Sequence, residues 1–195
     1  MYYEVEVKSH VRVPPNKFSE DTAKSIMASI RERYDGVVTK ELGAVIGVTE
    51  VTKVGEGVII PGDGAAYYDT TFKLLTFKPE MQEMILGRIT DITDFGAFID
   101  MGALDGMIHI SQTMDDFVSF SKSNVLTGKE SKRSLKVGDK CRARIIAVSF
   151  KEAGNPKLAL TMRQSRLGNL AWIDEELKKE TAVPEKEEKK KGKEK

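Results

Sequence analysis

Apolar and polar residues alternate along the opening stretch "YYEVEVKSHVRV", and a period of two predicts a strand with one buried face. "PPNKFS" ends the alternation. Behind it Ala23, Ile26, Met27, Ile30 and Tyr34 recur three and four residues apart, the spacing of a helix whose apolar stripe packs on a core. Ser19 is the expected N-cap, Glu20 and Asp21 suit the positive end of the helix, and Gly36 is the expected stop. "GAVIGVTEVTKV" and "GVIIPGDGAAYYDTTFKLLTFKP" are rich in Val, Ile, Thr and aromatic residues and are cut by glycines, which predicts strands joined by turns. The first part of the chain therefore reads as α+β: a strand, a helix and a small antiparallel sheet. Gly62 and Gly64 around Asp63 mark a tight turn that needs positive φ or a close backbone approach.

The pattern changes at Pro79. Beyond it "MILGRITDI", "GAFIDMG", "GMIHI", "CRARIIAVSF" and "PKLALTM" are short strand candidates separated by Gly, Asp and Pro turns. Five short strands in a segment of this size suit a small antiparallel barrel, the OB fold. The stretch from His109 to Cys141 is long for a barrel connection and reads as a functional insertion. "LGNLAWIDEELKKE" reads as a closing helix, and "VPEKEEKKKGKEK" as a low-complexity Lys/Glu tail that is expected to be disordered. The expected domains are 1–82, 83–182 and the tail 183–195.

Composition excludes some classes and leaves others open. Of 195 residues, 40% are hydrophobic and 31% charged, and no apolar run approaches the ~20 residues of a membrane span. The start "MYYEVEVK" lacks the features of a signal peptide, and a single cysteine, Cys141, permits neither an internal disulfide nor a cysteine-cluster zinc site. A cytoplasmic protein with no membrane partner and no cofactor is expected. The net charge is only +1, yet residues 122–166 hold twelve Lys/Arg against three Asp/Glu, whereas 84–121 hold one against six. A local basic excess points toward nucleic acid or toward a solvated loop.

The candidate chemistry lies in "TDFGAFIDMGALDGMIHIS". On a strand, Ala97 and Ile99 share the inner face, so Phe98 points out with Gly96 and Asp100. Phe95 sits at the corner before the strand, and His109 points opposite to Ile108 and Ile110. Two rings and an imidazole on a barrel surface form a stacking platform for single-stranded RNA, with Gly96 leaving room for a base between the rings. Arg142 and Arg144 share one face of the fourth barrel strand and Lys157 opens the fifth, where they could hold phosphates beside the rings. The alternative places both phenylalanines in the core.

These residues also carry a resemblance. "GRITDITDFGAFIDMGALDGMIHIS…LKVGDKCRARIIAV…KLALTMR" resembles the RNA-binding OB fold of ribosomal protein S-one. That resemblance implies a platform of two aromatics and a histidine, matched by Phe95, Phe98 and His109. It also implies a base near Lys157 and an acid near position 149, where this chain has Ser149. "VRVPPNKF", "IPGDGAAYY", "TFKPEM", "HISQTMDDF", "TGKESKR" and "LALTMRQ…LG…W" together resemble the family of the seventh (E-prime) component of archaeal DNA-directed RNA polymerase; the usual proline after "MRQ" is Ser165 here. The resemblance implies an RNP-like N-terminal domain that docks on the polymerase core through Gly62, Asp63 and Gly64. It implies a heterodimer with the small helical fourth (F) component of the polymerase, together a stalk near the RNA exit channel. The chain itself would be non-catalytic within a nucleotidyltransferase.

Two other classes compete. An independent RNA-binding factor of translation or RNA decay accounts for 84–163 but leaves the first 80 residues without a role. For an enzyme there is no P-loop, no Gly-x-Ser-x-Gly and no metal-ligand cluster; the adjacent acids Asp115 and Asp116 read as solvated loop residues.

Overall fold

The structure, a computed structural model, describes residues 1–18, 21–121, 124–151, 154 and 156–182. Ser19, Glu20 and the tail 183–195 lie outside the described residues. The chain divides into two compact units, the first built mainly on Met1–Glu80 and the second on Met81–Ser149 together with the segment from Lys157.

In the first unit, strands β1 (Tyr2–Val13), β2 (Val38–Thr39), β3 (Gly43–Ile59) and β4 (Ala66–Phe77) form an antiparallel sheet in the order β1-β4-β3-β2. Helix α1 (Thr22–Tyr34) packs on one face of it. The period of two in β1 works as expected: Val11 and Val13 are buried with Phe72 and Leu74 of β4, and Ile26 and Ile30 of α1 close the core. Met27 and Tyr34 pack at its edge, but Ala23 is exposed. The inner stripe of the helix instead includes Ser25 and Ser29, small enough to let the helix approach the sheet. Ser25 Oγ donates to the carbonyl of Lys17 at 2.7 Å, which removes the cost of burying it. Asp21 occupies the N-cap position without a side-chain hydrogen bond, and Gly36, just past the helix, has φ +74°. The other face of the sheet is largely charged: Lys73 bridges Glu50 at 2.6 Å, and Lys8 bridges Asp69 at 2.9 Å.

The second unit is the expected barrel. Strands β5 (Met84–Ile92), β6 (Gly96–Asp100) and β7 (Asp105–His109) form a meander, and β11 (Lys140–Ser149) and β12 (Lys157–Thr161) complete it. The order is β12-β7-β6-β5-β11, closed by pairing of β12 with β11. The two-residue strand β13 (Gly168–Asn169) adds to β11, and helix α2 (Leu170–Ala182) follows. Ile89, Ala97, Ile99, Ile108, Ile145 and Leu160 are fully buried, and Trp172 of α2 joins the same core.

The segment expected to be a charged insertion is itself a sheet. Strands β8 (Val118–Ser121), β9 (Val125–Gly128) and β10 (Ser134–Lys136) pair antiparallel in the order β10-β9-β8. Its two leucines, Leu126 and Leu135, are fully buried and belong to the barrel core. Each is expected to contribute as a core residue. Leu135→Ala should cost about 2–5 kcal/mol in urea unfolding, the range for a buried large-to-small change. A cost below about 1 kcal/mol would mean that the insertion sheet lies loosely on the barrel.

Candidate nucleic-acid interface

The aromatic cluster grows out of one turn. Between β5 and β6 the chain reverses over Thr93–Gly96, where the Gly96 carbonyl accepts from both the Thr93 amide (2.8 Å) and the Thr93 hydroxyl (3.0 Å). Phe95 sits inside this turn, and its carbonyl accepts from the Ile110 amide at 2.9 Å, which ties it to the end of β7. Phe95 is 47% exposed. Phe98, half-buried on the outer face of β6, meets it edge to face, with centroids 6.0 Å apart and planes at 89°. Ala97 and Ile99 point inward, as expected, so the rings are surface and not core.

Gly96 does not make room for a base between the rings, because the rings touch each other. Its role is the contact with β7. A Cβ at Gly96 would lie 2.2 Å from the carbonyl oxygen of Ile108, so only glycine lets the two backbones meet here. Directly opposite Gly96 in the register stands His109.

His109 has a structural partner as well as an exposed ring. It is the N-cap of a single 3-10 turn, Ile110–Gln112, and its Nδ1 accepts from the Ser111 amide at 3.3 Å. The Ser111 hydroxyl lies 2.8 Å from the same nitrogen. With Nδ1 as acceptor, the neutral ring carries its proton on Nε2.

The basic residues are not gathered around the rings. Lys157 is on the strand next to β7, two residues before Ala159, which is opposite Met107, itself opposite Phe98; the parallel register carries it toward the Asp100 end of β6, away from the turn that holds Phe95. Arg144 pairs with Met84 and with Thr161, which separates it from β7 by a strand. Arg142 pairs with Leu86 and Gly168. Met84 and Leu86 are 59% and 62% exposed, so the two arginines border an apolar surface.

Sequence reasoning missed two residues of this region. Ser111 orients His109, and Arg163 donates from Nε to Asp115 Oδ1 at 2.8 Å. The only sequence signal for Ser111 was its place two residues after the histidine. Asp115 and Asp116 hold separate contacts: Asp115 pairs with Arg163, while Asp116 accepts from the amides of Ser131 and Glu130 and from the Ser131 hydroxyl, which holds its carboxyl below the usual range.

In the N-terminal unit the expected docking turn is also preformed. Gly62 and Gly64 have φ of +99° and +68°, the left-handed region that favours glycine. Asp63 between them is held from outside the loop: Arg12 donates to both of its oxygens at 2.9 and 2.6 Å, and the Tyr67 hydroxyl donates at 2.6 Å. Val58, Ile59 and Ile60, just before the turn, are all exposed.

A β-sheet unit followed by a small OB barrel with an aromatic surface defines a two-domain protein of the nucleic-acid-binding class. Residues 8–64 match the SHS2 domain found in the N terminus of Rpb7p/Rpc25p/MJ0397, and residues 78–158 match the S1 RNA binding domain. The chain is 37% identical over 175 residues to the DNA-directed RNA polymerase subunit Rpo7 of Saccharolobus solfataricus, covering 89% of this chain and 97% of that one. The Sulfolobus acidocaldarius Rpo7 is 37% identical over 92% of this chain and 98% of its own length. The DNA-directed RNA polymerase III subunit RPC8 of Saccharomyces cerevisiae is 29% identical over 58% of this chain and 54% of its own. The chain belongs to the Rpo7 family.

The hydrogen bonds from Arg12 and Tyr67 hold the Asp63 carboxyl well below the usual carboxylate range. A lowered folded value means that the lock is intact above the ordinary value near 3.9 and is lost only as pH falls through the lowered one. A carboxyl-detected NMR titration should therefore find Asp63 still ionised at about pH 3. In Arg12→Ala its midpoint should move up toward the ordinary value. An ordinary midpoint in the wild-type chain would mean that the lock does not persist in solution.

Proposed function

We propose that this chain is a non-catalytic stalk component of DNA-directed RNA polymerase that pairs with the helical fourth (F) component and holds nascent single-stranded RNA near the exit channel. Its membership of the Rpo7 family over most of its length supports the polymerase assignment. The observation that carries the RNA reading is the exposed edge-to-face pair Phe95–Phe98 beside His109. A planar base stacks on such a surface without regard to sequence, which suits a protein that meets every transcript. Exposed Met84 and Leu86 offer an apolar surface for the helical partner. Gly62, Asp63 and Gly64 present a rigid turn with exposed Ile59 and Ile60 behind it, and that tip docks on the polymerase core.

Two experiments test the reading. The RNA arm is fluorescence anisotropy with single-stranded RNA at several salt concentrations, using the heterodimer. Replacing both Phe95 and Phe98 by alanine removes two stacks of ~1–3 kcal/mol each, so affinity should fall at least ~10-fold. Lys157→Ala should weaken binding more at low than at high salt, because it removes a phosphate contact, and Arg142→Ala should do so to a smaller degree. Unchanged affinity in the folded double-Phe variant would place RNA elsewhere.

The docking arm replaces Gly62 and Gly64 by valine, which the left-handed backbone disfavours. Co-purification with the polymerase core should drop while the helical partner is retained. Undiminished recruitment of a folded double variant would remove the docking assignment.

A further inference from the structure

Beside the aromatic platform lies a cavity of about 390 Å³, within the ~300–1,000 Å³ range of small-molecule sites. Its wall includes Ser111, Asp115, Phe117, Glu130 and Arg163. We propose that it is a pocket for one guanine base of the RNA strand that stacks on Phe95 and Phe98. The proposal rests on the RNA-binding reading of the barrel and adds a base preference to it.

Continuity comes first. Ser111, in the wall, lies 2.8 Å from the ring nitrogen of His109, so the cavity begins where the platform ends. A strand crossing the rings toward His109 would deliver its next base there.

The stacking surface is Phe117. The residue is 75% exposed, more than any other phenylalanine among the described residues. A single exposed ring is ordinary in itself. This one differs because its backbone is fixed and it walls a cavity. The Phe117 carbonyl accepts from the Lys129 amide at 2.9 Å, and neighbouring Asp116 pins Glu130 and Ser131. With its backbone hydrogen-bonded, only the two side-chain torsions of the ring need to be ordered when a base stacks on it.

Wall chemistry selects the base. Three carboxylates, Asp115, Asp116 and Glu130, face one guanidinium, Arg163, so a phosphate is repelled. A heterocycle with N–H donors is favoured instead. Asp116 is spent on the loop it pins. Asp115 gives Oδ1 to Arg163 and retains Oδ2 as an acceptor. Guanine supplies ring and exocyclic N–H donors for a carboxylate, and O6 and N7 acceptors for a guanidinium. Uracil has one N–H between two carbonyl oxygens, and those oxygens would meet carboxylates.

The test is anisotropy with the full-length chain and two labelled oligonucleotides of about eight residues: all uridine, and the same with one internal guanosine. The guanosine strand should bind wild-type protein ~10-fold tighter, the scale of one good base-edge contact. Phe117→Ala should abolish that ratio and leave oligouridine affinity unchanged; the near-isosteric Asp115→Asn should also abolish the ratio, while the loss of one repelling charge raises oligouridine affinity slightly. Replacing Phe95 and Phe98 by alanine should weaken both strands and preserve the ratio, which separates the pocket from the platform. Equal binding of the two strands by wild-type protein, or a ratio that survives Phe117→Ala, overturns the proposal. So does a ratio that disappears when the helical partner is added while oligouridine affinity stays, because the cavity would then belong to a protein interface.

Discussion

Everything on the barrel's aromatic face depends on the closeness of two backbones. Gly96 sits so near β7 that a single added methyl would overlap the Ile108 carbonyl. That contact sets the Thr93–Gly96 turn against the end of β7, and the turn in turn sets Phe95. His109 is placed by the same pairing, since it is the cross-strand neighbour of Gly96. The edge-to-face contact of the rings contributes only about 0.5–1.5 kcal/mol beyond their buried area. The rings meet because the backbone brings them together.

Periodicity explains why the barrel was legible in the sequence. Its five strands alternate, with Ile, Leu and Ala inside and mostly polar residues outside, and each was found to within a residue or two. The three strands of the insertion were not found. Strands of three or four residues are too short to establish a period. Leu135 stands between Ser134 and Lys136, and Leu126 has Val125 as its one apolar neighbour, yet both are fully buried. Ala23 failed for the opposite reason. The stripe of α1 was read from apolar residues alone, while the sheet accepts Ser25 and Ser29 because they are small and Ser25 finds a carbonyl. Hydrophobicity cannot announce a buried serine.

Charge was the less readable signal. The basic excess of residues 122–166 pointed toward nucleic acid or toward a solvated loop, but charge summed along a chain is not a field at a site. Arg133 lies over Trp172 and bridges Glu176 of α2 at 2.8 Å. Arg163 is bound by Asp115, from the acidic stretch that precedes the basic one. Arg142 and Arg144 border exposed Met84 and Leu86. These pairings join residues tens of positions apart, which no local pattern reveals. The ring cluster was visible because Phe95 and Phe98 are neighbours in sequence and their faces follow from the period of one strand.

His109 joins the structural and the functional readings of a lone histidine. As an N-cap it accepts the Ser111 amide, a role that any satisfied surface histidine could have. The same bond fixes the ring plane and leaves Nε2 as the proton-bearing edge. A ring already ordered by folding does not have to be ordered again on binding, so stacks that are individually weak lose less of their energy. The platform needs this economy. Ser149, opposite Lys157, stands where the S-one-type pattern carries an acid, and it brings no negative charge to that cross-strand position. The contact that the acid would make is absent at that strand. On the proposed RNA reading, more of the grip falls on ring surfaces that the backbone holds in place before the strand arrives.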